Sequence, residues 1–229
     1  MRIRVVVLAA ACAPMILRAQ VGHTPQDSPY RDVSTSARLS VYGGWYVAAK
    51  DEAGVMPKSG PLTGVRLDVH VGGPADLAIR IARVGSKRNV IDPTRSQGDR
   101  LVDVQNVNLG FADIGLSFNL TGGKSWHNFM PTVNGGVGMV SDFKGRDAGG
   151  FQHGSTFAVA YGLGIRYLPL HSRLALRGDL GSYLYSIQYP TTYYTIGGDG
   201  TSVLSGSVNR SQWRNNWTMS FGAAYRLYK

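Results

Sequence analysis

Cysteine is almost absent from this chain. The one copy among 229 residues, Cys12, lies near the amino terminus, so the rest of the chain can form neither a disulfide nor a thiolate metal site. Charge is sparse as well: 17% of residues are Asp, Glu, Lys or Arg, below the usual quarter. No apolar run reaches the roughly 18–20 residues of a membrane-crossing helix. The five histidines, His23, His70, His127, His153 and His171, are dispersed without metal-ligand spacing. No metal and no cofactor is therefore expected. The glycine clusters Gly135-Gly136-Val137-Gly138 and Gly162-Leu163-Gly164 lack the following helix that a phosphate cradle needs. The formal charge is +10, yet its basic residues are scattered and match no nucleic-acid-binding motif, so nucleic acid is excluded as a partner.

What is present begins with a leader. Met1-Arg2-Ile3-Arg4 is positive, Val5 to Leu17 is apolar, and Ala19 is small. That is the profile of a secretory signal over 1–19, although Leu17 departs from the small residue expected two before Ala19. A rival reading takes Leu8-Ala9-Ala10-Ala11-Cys12 as a lipoprotein box, at the expense of a very short leader. Removing Arg2, Arg4 and Arg18 takes the 24 basic residues to 21 against 14 acidic, a net of about +7, which suits anionic partners. Residues 20–36 have no period and read as a flexible periplasmic lead-in.

From 37 onward the chain alternates. Trp217, Met219, Phe221, Ala223, Tyr225 and Leu227 are apolar, and small or polar residues separate them. A period of two gives a strand one greasy face. The same pattern marks eight strands, at about 37–48, 63–72, 75–85, 101–120, 129–140, 155–167, 173–187 and 213–228. In the fourth, apolar residues are odd at Val107, Leu109 and Phe111 but even from Ile114 to Leu120, which predicts a bulge near Ala112-Asp113. Connections after strands 2, 4 and 6 are short, whereas 49–62, 86–100, 141–154 and 188–212 are long. Short–long alternation and strands of this length predict an all-β fold: an eight-stranded antiparallel up-and-down transmembrane barrel over 37–229, with its termini on the periplasmic side.

The chain resembles the OmpA-type outer-membrane barrel family. The resemblance is carried by Tyr161-Gly162-Leu163-Gly164-Ile165-Arg166-Tyr167, Leu174-Ala175-Leu176-Arg177-Gly178-Asp179 and Phe221-Gly222-Ala223-Ala224-Tyr225-Arg226-Leu227-Tyr228. It implies a monomer in the outer membrane of a Gram-negative-type bacterium, among lipids that include lipopolysaccharide. It also implies biogenesis through periplasmic chaperones and the barrel-assembly machinery, which would read Phe221, Tyr225, Leu227 and Tyr228 as its signal. Lys229 departs from an aromatic final residue.

The inward face should carry Arg66, Asp68, His70, Asp76, Arg80, Asp113, Arg166, Arg177, Asp179 and Arg226. Eight strands leave room only for side chains, so these charges must pair. An aromatic girdle is expected at Trp45, Tyr183, Tyr185, Trp213, Trp217, Tyr225 and Tyr228, with Tyr189, Tyr193 and Tyr194 nearby; a ligand platform is the alternative. Lys50, Lys58, Lys87, Arg88, Arg95, Arg100, Lys144 and Arg146 could clamp lipopolysaccharide phosphates or simply be solvated. His153 and Ser155 are two apart, as in the eight-stranded lipid A deacylases they resemble, but the Asn-containing continuation of that family is missing. The expected role is structural or interactional, at the envelope or in surface recognition, and not enzymatic. A narrow porin-like channel or carrier of small apolar solutes comes second, and a lipid A hydrolase third.

Overall fold

The computed structural model describes residues 28–33, 36–170 and 172–227. The leader, His23, most of 20–36, His171, Tyr228 and Lys229 lie outside them. Ten strands follow in order: β1 (Tyr30–Asp32), β2 (Arg38–Val47), β3 (Gly60–Gly72), β4 (Ala75–Ile91), β5 (Leu101–Asn119), β6 (Lys124–Trp126), β7 (Phe129–Ser141), β8 (Ser155–Tyr167), β9 (Leu174–Gln188) and β10 (Ser211–Arg226). Eight of them pair antiparallel around a closed ring, β7-β5-β4-β3-β2-β10-β9-β8 and back to β7. The seam runs from Trp217↔Val47 to Arg226↔Arg38. Closure leaves no ring edge unpaired, the condition for a sheet in hydrocarbon.

The turns at one end are tight. Gly72 and Gly73 take positive φ between β3 and β4. His127 and Asn128, at φ 48° and 68°, close the β6–β7 hairpin across Trp126↔Phe129, the backbone of a type I′ turn. At the other end the connections are 48–59, 92–100, 142–154 and 189–210. The second is shorter than the expected 86–100 because β4 and β5 run 17 and 19 residues and project beyond their neighbours.

Two expectations are corrected. The lead-in is not irregular throughout: Tyr30–Asp32 pairs with Lys124–Trp126, and Val33 N donates to Gly123 O at 3.0 Å. No bulge interrupts β5 at Ala112-Asp113, where the ladders run through Arg80↔Asp113 and Ile81↔Ala112 on one side and Asp113↔Gly138 on the other. Its odd positions face inward without a break from Val107 to Asn119. Phe111 is 2% exposed and Phe118 45%, so the change of phase records a change in what the lumen contains.

The lumen has two layers. Towards the short turns it is charged. Towards the long loops it is apolar and aromatic, with Tyr46, Leu62, Val84, Leu109, Phe111, Val140, Tyr183 and Tyr185 from the strands. Val55, Met56, Phe151, Tyr189, Tyr193 and Leu204 descend onto this layer from three loops.

Candidate functional sites in a filled lumen and its loops

The charged layer forms because even positions of β3, β4 and β8 and odd positions of β5 and β9 turn inward at the same height. Asp68 is its hub. Arg66 meets it at 2.7 Å, Arg166 at 3.1 Å and Arg177 at 3.4 Å. Arg166 also donates to Asp76 at 2.9 Å, and His70 Nδ1 lies 3.2 Å from Asp76. Arg177 forks onto Asp179 at 2.5 and 2.8 Å. Arg80 pairs with Asp113 at 2.6 Å, and the Tyr183 hydroxyl donates to the same carboxylate at 2.8 Å. Four arginines thus face four aspartates, as a low-dielectric interior demands. Arg226 points inward nearer the short turns and has no carboxylate within 4.0 Å among the described residues. Gly164 makes room for the network: a Cβ there would overlap Asp179 Oδ1 and Thr132 Oγ1. A cavity of about 30 Å³ touching Arg66, Arg80, Asp179 and Tyr183 remains, space for roughly two waters.

Above the charges the aromatic layer is tied to itself. The Tyr46 and Tyr185 hydroxyls lie 2.7 Å apart, and Phe111 packs on Tyr183 with centroids 4.6 Å apart. This corrects the girdle. Tyr183 and Tyr185 are 6% and 0% exposed, because odd positions of β9 face the lumen while Leu174, Leu176 and Leu180 take the outside. Tyr189 and Tyr193 are buried too. Trp45, Trp213, Trp217 and Tyr225 are on the outward face, together with Phe221 and Leu227 of the expected assembly signal. Trp126, Phe129 and Tyr167 form an outward aromatic group at the short turns, with Phe129 and Tyr167 centroids 5.1 Å apart. Sequence reasoning missed it, although each is an aromatic at a strand end.

The long loops form a built cap. The Asp51 carboxylate accepts from Val55 N at 2.6 Å, Met56 N at 2.8 Å and the Tyr189 hydroxyl, joining loop 48–59 to loop 189–210. Asp147 accepts from Arg88 at 2.9 Å and from Phe151 N at 2.9 Å. Arg100 donates to Thr201 O and Ser202 O, both at 2.9 Å. Arg88 and Arg100 are therefore buried structural cations, which corrects their assignment to a phosphate clamp. Lys50, Lys58, Lys87, Arg95, Lys144 and Arg146 remain exposed.

His153 and Ser155 are not brought together as nucleophile and base. Gly154, at φ 62°, turns the chain between them. His153 is buried under the cap, edge-on to Tyr185 at 5.6 Å, and neither ring nitrogen has a hydrogen-bond partner. Ser155 points outward to Ser141 Oγ at 3.0 Å. Burial lowers the His153 pKa; Asp142 opposes the shift and Arg88 adds to it. Among the described residues no three His, Cys, Asp or Glu side chains are grouped to hold a metal.

No family model matches the chain, and no curated protein sequence matches it. Solved structures do. Neisserial surface protein A is 11% identical, with 83% of this chain aligned to 97% of that one at a TM-score of 0.49. The outer membrane protein OprG from Pseudomonas aeruginosa is 14% identical, covering 89% and 100% at 0.47. The Yersinia pestis outer membrane protein Ail, in a phospholipid nanodisc, is 13% identical, covering 84% and 99% at 0.39.

Proposed function

We propose that the chain is an OmpA-type barrel of the outer membrane of a Gram-negative-type bacterium, non-enzymatic and non-conducting, acting in envelope integrity or surface recognition through its capped loops. One observation carries this reading. The outward face from Leu39 round to Phe221 is a continuous apolar belt, whereas the inside is occupied by paired charges and an aromatic layer. A soluble protein does not expose such a belt, and a pore does not fill its lumen. Outer-membrane lipid, lipopolysaccharide included, would be the belt's solvent. Phe221, Tyr225 and Leu227 would be read by the assembly machinery after periplasmic chaperones deliver a monomeric chain. The His153–Ser155 geometry does not support a hydrolase.

The test is reconstitution into phosphatidylcholine vesicles and planar bilayers. The expected result is a carbonate-resistant, heat-modifiable barrel without discrete conductance steps. A folded protein that stays in solution without detergent would overturn the membrane assignment; regular single-channel steps would overturn the closed lumen.

A further inference from the structure

We propose that the outer wall of β3, β4 and β5, at the upper edge of the apolar belt, binds a phosphate group of an outer-leaflet glycolipid through Arg83, Lys58 and Lys87. The proposal rests on the membrane reading above and goes further by naming a site. Outward positions of β4 read Leu77, Ile79, Ile81, then Arg83, Gly85 and Lys87, a change from hydrocarbon to cation along one line. A strand tilted about 40° with a rise of about 3.3 Å climbs roughly 2.5 Å of membrane normal per residue. Arg83 then lies roughly 20 Å, and Lys87 roughly 30 Å, above Ala75 at the short turn, on either side of the top of a belt about 25 Å tall. That is headgroup height.

Lys58 is carried to the same height by loop 48–59. Its backbone N donates to Lys87 O at 2.9 Å, and Ser86 Oγ donates to Lys58 O at 2.5 Å. Lys58 and Lys87 line a groove of about 470 Å³ edged by Trp45, Pro61, Asn106 and Asn108, and Arg83 reaches its rim at Asn108; Gly85 leaves that stretch of wall without a side chain. Two of the three cations are held by amides, and none by an acid. Arg83 Nε donates to Asn108 Oδ1 at 3.2 Å and Lys58 Nζ to Asn89 Oδ1 at 2.8 Å. Among the described residues no carboxylate lies within 4.0 Å of any of them, whereas Arg95 and Arg214 nearer the loops have Asp92 and Glu52, each at 3.4 Å. Three cations without a carboxylate partner, two of them oriented by amides, beside a low-dielectric belt call for an external anion, and a phosphate accepts from both Lys and Arg. Trp45 and Pro61 offer the sugar and acyl parts an apolar floor.

The experiment places wild-type barrel in neutral nanodiscs and counts retained diphosphorylated lipid A by native mass spectrometry. Arms with dephosphorylated lipid A and with inorganic phosphate as competitor run beside it. The Arg83→Gln, Lys58→Gln, Lys87→Gln triple variant should bind roughly a hundredfold more weakly, at about fivefold per charge. A control triple, Lys50→Gln, Lys144→Gln, Arg146→Gln, should bind like wild type. Equal loss in both triples, no loss in either, equal binding of the dephosphorylated lipid, or displacement by inorganic phosphate at lipid concentrations would each overturn the site alone, provided insertion is normal. Failure of wild type to insert would overturn the membrane reading, and this site with it.

Discussion

Arg166 and Asp68 stand on opposite walls of the barrel and meet across its axis at 3.1 Å. β8 and β3 are four strands apart in either direction round the ring, so this contact spans the full diameter. It shares Asp68 with Arg66 and Arg177, and one carboxylate thereby bridges guanidinium groups from three strands.

Asp68→Asn should therefore lower stability by about 3–5 kcal/mol, the usual consequence of stranding buried charge. Asp32→Asn, which removes an exposed pair with Lys124 at 3.9 Å, should change it by less than about 1 kcal/mol. Urea titration of folded barrel in lipid vesicles, read by gel mobility, compares them. Equal effects would mean that the layer is wet and loosely coupled.

Phe111→Ala and Phe118→Ala separate the two faces of β5. Phe111 is inside, and its loss should cost about 3–5 kcal/mol, because the surrounding aromatics cannot close the cavity. At Phe118, acyl chains fill the space, so only the smaller transfer contribution is lost. The same titration checks the order; a larger effect at Phe118 would reverse the assigned facing.

Asp51→Ala should free loop 48–59 without unfolding the barrel, since its carboxylate folds the loop on itself through Val55 N and Met56 N and ties it to the neighbouring loop through the Tyr189 hydroxyl. The expected outcome is faster tryptic cleavage at Lys50 and Lys58, with unchanged heat-modifiability. Unchanged cleavage would show that Val55 and Met56 hold the loop by packing alone.

His153 makes the cap sensitive to acid. Its buried, neutral ring faces Tyr185, Asp142 and Arg88, and burial holds its pKa below the usual value of about 6.5. A depressed base favours the closed form while neutral. Cap closure is thus complete above about pH 6.5 and weakens as pH falls from there through the depressed value. Hydrogen exchange of 142–154, corrected for intrinsic rate, should rise in that window and lose its pH dependence in His153→Phe. A flat profile in the wild type would exclude the mechanism.

The strand count, the alternation and the loop asymmetry were all legible, because a belt facing hydrocarbon imposes a strict period of two. What the period could not tell was which side was which. The loop-side lumen is as apolar as lipid, so Leu109, Phe111, Tyr183 and Tyr185 read as outward residues. The leucines at even positions of β9 were the signal that would have corrected the tyrosines. Arg88 and Arg100 looked like free loop cations because their partners, Asp147 and Asp199, lie 59 and 99 positions away. Gly154 hid the reversal between His153 and Ser155, and a three-residue strand such as β1 leaves no periodic trace.

The β2–β10 seam joins positions 170 apart at Trp217 and Val47 and 188 apart at Arg226 and Arg38. Contacts this remote in sequence form late and slowly. Until they form, both lateral strands offer open hydrogen-bonding rims beside a greasy surface, the state most prone to clumping. A nascent polypeptide of this design needs shielding over its whole length until its final segment arrives, and loss of that segment would abolish the ring rather than shorten it.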